Sequence, residues 1–174
     1  MAKQGKERII SAAFQLFLKN GYQGVSLKDI IAESQLSKGA IYHHFASKYD
    51  IYLAALEEYF FKKLAAVSTE DADFSFAERI KLRYTAMANL CDFVEKMGAT
   101  GVPYPIRTYF IFQLESERDD AIRKRVFAAV QAYRAEVKAI VQSAMDRGEI
   151  PQSLGAETIA IQIIALVEGI AVHH

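Results

Sequence analysis

The sequence predicts an all-α protein. Long stretches repeat apolar residues at helical spacing, and no turn dipeptide stands between two alternating runs, as it would in a β-hairpin. Only three of the 174 residues are proline, and two of these share one short segment, VPYP at 102–105. Apolar residues make up 52% of the chain and charged residues 24%, so there is enough apolar material for a core and disorder is not expected.

The first two helices are bounded by recognisable end signals. The first is predicted over residues 4–19, where one apolar stripe is formed by Ile9, Ala13, Leu16 and Phe17. Asn20-Gly21 supplies a left-handed stop after it. Ser26, with Asp29 three residues later, is a carboxylate variant of the capping box and begins a second helix that ends near Ser34.

Two further serines predict the next two helix starts. Ser37 can cap a third helix over residues 38–45, after a turn of three or four residues. Ser47 and Asp50 repeat the capping pattern and begin a long fourth helix that reaches about residue 67.

Longer helices are predicted beyond a polar loop at residues 68–73. They cover residues 74–97, 106–116, 119–147 and 154–172. The most apolar segment, residues 159–172, is only 14 residues long and contains Gln162 and Glu168, so it is interpreted as a buried helix rather than a membrane span. Because the start MAKQGKERII contains no apolar segment, no signal peptide is expected, and a cytoplasmic protein is expected.

The second and third helices have the arrangement of a helix-turn-helix. In the third helix, Ile41 and Phe45 lie four residues apart and are expected to face the core. Gly39, Tyr42 and His43 then lie on the opposite face, with a lysine at the helix start. A basic, aromatic face with a glycine that permits close approach suits insertion into a DNA major groove.

Charge is distributed unevenly, although the formal net charge is zero. Residues 1–48 carry seven basic and three acidic side chains, whereas the remainder carries 14 basic and 18 acidic ones. The amino-terminal segment is therefore suited to a polyanion. Backbone N–H groups at the helix starts after Ser26, Ser37 and Ser47 could bind phosphates. Lys48 opposes the dipole of the fourth helix, a cost that a phosphate would offset.

The segment from Ile9 to Leu56 resembles the DNA-binding domain of the TetR (tetracycline repressor) family of bacterial transcription regulators. The resemblance covers about 50 residues and rests on GVSLKDIIAESQLSKGAIYHHFASKYDIYLAAL, on Gly21-Tyr22 and on Ser47-Lys48. Two departures are Gln35-Leu36, where a glycine-valine pair is common, and Tyr49-Asp50, where an acidic pair is usual.

The resemblance implies a homodimer that binds a near-palindromic operator in double-stranded DNA, with one third helix in each half-site. By position, phosphate contacts are assigned to Ser26, Ser37, Tyr42, His43, His44 and Lys48. Lys28, Lys38, Gly39 and Ala40 are expected to approach base edges. The alternative for each is an ordinary cap or a solvated side chain. A metal pair at His43-His44 is a weaker reading, because adjacent helical residues diverge by about 100° and zinc pairs favour a spacing of four residues.

The carboxyl-terminal part is expected to bind a small, mostly apolar effector. Candidate residues are Tyr84, Met87, Cys91, Tyr104, Arg107, Tyr109, Phe110 and Tyr133. Buried tyrosine hydroxyls need partners, and adaptable methionines suit a pocket with few polar groups. Ordinary core packing is the alternative for each aromatic residue, and surface solvation is the alternative for Arg107. A buried structural thiol is the alternative to a redox sensor at Cys91.

The last two helices are expected to form the dimer interface, as the resemblance implies. Their apolar residues are Phe127, Val130, Val137, Ile140 and Val141 on one helix, and Ile159, Ile163, Leu166, Val167 and Ile170 on the other. The alternative is that they only close the domain.

The full expectation is a helix-turn-helix domain over residues 1–48, a connecting helix over 47–67 and a helical effector-binding and dimerisation domain over 68–174. No P-loop, Rossmann glycine pattern, HExxH or triad signature occurs, so neither enzyme activity nor a cofactor is expected. One cysteine excludes an intrachain disulfide. The expected function is a ligand-responsive repressor. The alternatives are a DNA-binding regulator of the same fold without an effector, and a helical enzyme or carrier that contains a similar trihelical unit.

Overall fold

The computed structural model describes residues 2–65, 74–98 and 119–173, all of which form helices or turns without a strand. The helices are α1 (Ala2–Asn20), α2 (Leu27–Ser34), α3 (Lys38–His44), α4 (Lys48–Leu56), a π-helical turn (Glu57–Phe61), α5 (Lys62–Ala65), α6 (Phe76–Gly98), α7 (Asp120–Asp146) and α8 (Ala156–His173). The all-α prediction is confirmed. The helix predicted over residues 106–116 lies outside the described residues.

These residues divide into two compact units. The first contains residues 2–62 together with 94–98, the end of α6. The second contains residues 63–65, 74–93 and 119–173. None of the helices in the described ranges combines the length and apolarity needed to cross a lipid bilayer.

The first unit is built on the buried side of α1. That side is wider than the predicted stripe, because it also contains Phe14 and Leu18, both fully buried, whereas Leu16 is only half-buried. The helix ends as expected, with Gly21 at φ 68° and its N–H donating to the Phe17 carbonyl oxygen at 2.9 Å. A broad apolar side lets α1 contact α2, α3 and α4.

The predicted caps of α2, α3 and α4 are confirmed. The hydroxyls of Ser26, Ser37 and Ser47 each accept a hydrogen bond from a backbone N–H three residues later. At the start of α2 the capping box is complete, because Asp29 accepts from the Ser26 N–H at 2.7 Å. These caps fix where the short helices begin and therefore which side chains face the core.

An aromatic cluster joins α1 to the helix that begins at Lys48. The rings of Phe14 and Tyr59 stack with their centroids 4.2 Å apart. The centroid of the Tyr52 ring lies 5.6 Å from that of Phe17 and 4.8 Å from that of Tyr22. Burial raises the pKa of the Tyr22 hydroxyl above its ordinary value. The long fourth helix of the prediction is interrupted here by the π-helical turn at Glu57–Phe61, a feature without a sequence signal.

The core of the second unit lies between α7 and α8. Its members are Val137, Val141, Met145, Ala156 and Ala160, with Phe76 and Tyr133 packed against them. Two ion pairs flank this core, since Glu157 contacts Arg134 at 2.5 Å and Lys138 at 3.0 Å.

The buried side of α6 includes charged side chains. Tyr84 and Leu82 are 47% and 39% exposed, whereas the two arginines Arg79 and Arg83 are only 9% and 2% exposed. Two cations are therefore buried on a helix on which Tyr84 and Leu82 face solvent.

Candidate nucleic-acid interface

The exposed face of α3 is a basic and aromatic surface on a firmly anchored helix. Ile41 is 1% exposed and Phe45, which ends the helix, is 7% exposed, so this side is fixed in the core. On the other side Lys38, Gly39, Tyr42 and His43 are exposed. Tyr42 is 49% exposed, and the Lys38 Nζ lies 5.8 Å from its ring centre. A seven-residue helix thus presents charge and ring surface outward.

Gly39 leaves the backbone of α3 open to a close partner. A Cβ built at this position would meet only the Ser37 Oγ, at 3.9 Å. The neighbouring Ala40 is half-buried, and its N–H donates to the Ser37 Oγ at 3.1 Å. Nothing inside the described protein therefore requires a glycine here for reasons of space.

The three helix starts differ in charge. The first turns of α2 and α4 contain Asp29 and Asp50, whereas the first turn of α3 has no acidic residue. The hydrogen bonds from the hydroxyl and the N–H of Ser26 hold the pKa of Asp29 below its ordinary value. A carboxylate already occupies the positive end of α2 and of α4, so the start of α3 is the best suited of the three to a phosphate. Lys28, in the first turn of α2, is exposed.

Lys48 has internal partners that the sequence did not reveal. Its Nζ donates to the carbonyl oxygens of Tyr22 and Val25, both at 2.8 Å, and lies 4.1 Å from the Tyr22 ring centre. The interpretation that its position in α4 costs stability unless a phosphate offsets it was wrong. The ammonium group connects the start of α4 to the connector between α1 and α2.

The two histidines of α3 differ in their exposure to solvent. His43 is exposed, whereas His44 is half-buried, and its Nε2 lies 3.3 Å from where a Cβ on Gly5 of α1 would stand. Their ring centroids are 4.9 Å apart at a steep angle. Within the described ranges no group of three histidine, cysteine or carboxylate side chains could hold a metal ion. His44 contributes mainly to the contact between α3 and α1.

A hydrogen bond between Arg8 and Ser34 in this unit also has no signal in the sequence. The Arg8 Nη2 donates to the Ser34 carbonyl oxygen at 2.8 Å, which ties the end of α2 to α1. The two residues are 26 positions apart and form no local pattern.

The candidate effector residues are distributed unevenly in the second unit. Met87 and Cys91 are half-buried on α6, and Tyr84 is largely exposed. Tyr133 of α7 is half-buried. The guanidinium carbon of Arg83 lies 5.3 Å from the centre of the Tyr133 ring. The other four candidates, Tyr104, Arg107, Tyr109 and Phe110, lie outside the described residues.

The apolar residues of α7 and α8 fall into two groups. Val137, Ile140, Val141 and Val167 are buried within the chain, as the domain-closing alternative predicts. Phe127, Val130 and Leu166 are 64%, 47% and 65% exposed, and Ile161 on α8 is 43% exposed. The side chain of Ile170 lies outside the described residues, and Ile159 and Ile163 are half-buried. The second group is the apolar surface that remains uncovered.

Two family models match the chain. The one described as bacterial regulatory proteins, tetR family, matches residues 9–55, which span α1 to α4. The one described as tetracyclin repressor-like, C-terminal domain, matches residues 114–174, which include α7 and α8.

Individual relatives agree with these matches. The repressor DhaR of Mycobacterium sp. (strain GP1) is 24% identical over 166 residues, covering 94% of this chain and 79% of DhaR. The regulator YerO of Bacillus subtilis (strain 168) is 44% identical over 54 residues, which are 31% of this chain and only 19% of YerO. A TetR transcriptional regulator from Chloroflexus aurantiacus J-10-FL superposes with a TM-score of 0.69 at 29% identity, covering 97% of this chain and 82% of that one.

Proposed function

Because the chain belongs to the tetR family of bacterial regulatory proteins, whose members are transcriptional regulators and not enzymes, we propose that it represses transcription as a dimer on a palindromic operator. The exposed face of α3 carries this proposal. It combines a lysine, a tyrosine and an open glycine backbone on a helix whose other side is fixed in the core.

The candidate DNA-binding residues fall into two groups, those that contact DNA and those that stabilise the first unit. The start of α3, with Ser37 and Lys38, binds a phosphate, because its N–H groups meet no carboxylate in the first turn. Gly39 and Ala40 approach base edges, and Tyr42 contacts a thymine methyl group or a phosphate. Lys28 and His43 extend this contact, whereas Ser26, His44 and Lys48 act chiefly by holding the unit in shape.

The second chain contacts α7 and α8 through their uncovered apolar residues. Phe127, Val130, Ile161 and Leu166 form the surface that we assign to the dimer. Large exposed apolar side chains on neighbouring helices are typical of a protein–protein contact. Two third helices held in this way must lie about one DNA helical turn apart to enter successive major grooves.

A small, mostly apolar effector releases the protein from DNA by binding the second unit. It does so only if its affinity differs between the DNA-binding arrangement and another arrangement of the dimer. Met87 and Tyr133, which lie on helices of this unit and are half-buried, are the described candidates for contact with its apolar part.

Selection of random duplex DNA by the purified protein at about 150 mM salt tests the operator. The expected result is an enriched inverted repeat with half-sites about 10 base pairs apart or a multiple of that spacing. Failure to enrich any sequence, at salt that leaves a control repressor bound, would contradict the proposal.

Affinity measurements on the selected site then test α3. Lys38→Ala should weaken binding and lower the slope of log affinity against log salt by about 1, the value for one lost phosphate contact. Lys124→Ala is the matched control, at another exposed lysine, near the start of α7. Tyr42→Ala should weaken binding at least about tenfold, and unchanged affinity in that variant would remove α3 from the interface.

A further inference from the structure

The most unusual side chain of the second unit is a buried arginine. Arg83 is 2% exposed and is the largest of the fully buried side chains. Its Nη2 donates to the Glu136 carboxylate, but its Nε and Nη1 meet no hydrogen-bond acceptor among the described residues. Buried donors without acceptors are costly, and more so on a charged group, which makes this arginine a poor choice for packing alone.

The surroundings of Arg83 suit a molecule with one polar end. The Tyr133 ring covers the guanidinium group at 5.3 Å, and Met87 follows one helical turn later on the same side of α6. Glu136 is 30% exposed, so its carboxylate has access to water when another acceptor takes its place on Arg83. Arg79, one turn earlier, is buried as well and donates to the Phe74 carbonyl oxygen at 3.2 Å.

We propose that Arg83 binds the carboxylate group of the effector, a small monocarboxylic acid whose apolar or aromatic part contacts Tyr133 and Met87. This inference rests on the proposed regulation by an effector and names its chemical class. In a guanidinium group Nε and Nη1 each form a fork with Nη2, so a planar carboxylate that displaces Glu136 from Nη2 can accept two parallel hydrogen bonds from Arg83. Such charge-assisted hydrogen bonds are stronger than those to a neutral carbonyl group. A monoanion is favoured over a dianion such as phosphate, because it replaces the single negative charge of Glu136 beside Arg83.

The probes are benzoate, phenylacetate, hexanoate and octanoate, each compared with its primary amide on the full chain. At least one acid should raise Tm by about 3 °C or more at saturation and release the selected operator, and its amide should do neither. If no acid acts, or if the amide acts as well as the acid, the inference is wrong.

Two variants separate binding from folding. Arg83→Met replaces the cation by an apolar chain of similar length. Because the remaining Glu136 side chain is 30% exposed and can be solvated, its charge is not left buried, and the variant should keep its Tm while losing the response to the acid. Glu136→Gln removes the competing carboxylate and should bind the acid at least about threefold more tightly, a prediction that does not depend on the first variant. An undiminished response in Arg83→Met, or weaker binding in Glu136→Gln, would overturn the assignment.

Failure of this inference is distinguishable from failure of the proposed function. If neutral apolar compounds release the operator while the acids do not, regulation by an effector stands and the role of Arg83 is wrong. If no inverted repeat is selected in the first place, the proposed function fails, whatever the acids do to Tm.

Discussion

Two glycines in the first unit lack a side chain for different reasons. A Cβ on Gly24 would lie 2.3 Å from the Asn20 carbonyl oxygen, so the backbone itself would have to move. A Cβ on Gly39 would lie 3.9 Å from its nearest neighbour, and the position is exposed. The fold requires the first glycine, whereas only a partner outside the chain would require the second.

Alanine at these two positions should therefore separate folding from binding. Gly39→Ala should keep or raise the free energy of unfolding, by up to about 1 kcal/mol from helix propensity, and weaken operator binding at least about tenfold. Gly24→Ala should lower the free energy of unfolding by about 1–3 kcal/mol. Thermal unfolding and fluorescence anisotropy on labelled operator measure the two effects. Full affinity in Gly39→Ala would show that the α3 backbone does not approach DNA closely.

Lys48 is expected to contribute mainly to stability. Lys48→Ala removes the donor to the carbonyl oxygens of Tyr22 and Val25 and the cation above the Tyr22 ring, and should cost about 1–3 kcal/mol. Lys28→Ala, at an exposed lysine, should leave the free energy of unfolding unchanged. Denaturant unfolding of both variants measures the difference. A stable Lys48→Ala variant with weakened DNA binding would restore the phosphate role assigned from the sequence.

At the scale of elements, the turn between α2 and α3 contains a strained residue. Gln35 has φ 53° and ψ 34°, the left-handed region, in which a Cβ crowds the backbone. Gln35→Gly should therefore raise the free energy of unfolding by up to about 1 kcal/mol. Gln35→Ala keeps the Cβ and should give no gain, and an equal gain in both variants would mean that the backbone strain is not the cause. Chemical denaturation measures both.

The helix caps make stability depend on pH in the acid range. Hydrogen bonds from Ser26 lower the pKa of Asp29, and hydrogen bonds from Ser75 lower the pKa of Glu78. Since the pKa of each group is lower in the folded state, its contribution is present above the unfolded value and is lost as pH falls through the folded one. Tm should thus decrease from about pH 4 downward, where unfolded carboxylates titrate.

Asp29→Asn should lower Tm at neutral pH and reduce its decrease in acid. Asp92→Asn, an exposed carboxylate in the middle of α6, is the control for the change in net charge. Thermal unfolding between pH 3 and pH 7 compares the two. The same acid slope in Asp29→Asn and in the unmodified protein would contradict a role for the capping box in acid stability.

Local features of the first unit could be predicted from the sequence, and distant contacts could not. Each cap joins residues three positions apart, so the serine and its partner are visible in one short window. Lys48 donates to a backbone carbonyl group 26 positions away, and such an acceptor can belong to any residue type. Arg83 donates to Glu136, which is 53 positions away in the sequence. The helix α3 and its cap were therefore predicted, but the internal role of Lys48 and the buried cation of α6 were not.

At the scale of the whole molecule, the proposed dimer depends on side chains that the single chain leaves uncovered. Leu166 is 65% exposed on α8, and a charge there would be buried without a partner in the dimer. Leu166→Glu should give a monomer in sedimentation velocity and lose operator binding. Leu154→Glu, at a 52% exposed leucine between α7 and α8, is the matched control and should remain dimeric. A dimeric Leu166→Glu variant would place the interface elsewhere.

The shortness of α2 and α3 has a consequence for the order of events on the ribosome. With eight and seven residues, neither reaches the roughly 12–15 residues that an isolated helix needs to be even marginally stable. Both pack on α1, which also packs on α4, where Ile51, Ala55 and Leu56 are buried. We therefore expect the nascent chain to carry α3 as unstructured polypeptide until residue 56 has left the exit tunnel, and only then to acquire the DNA-binding surface that we propose.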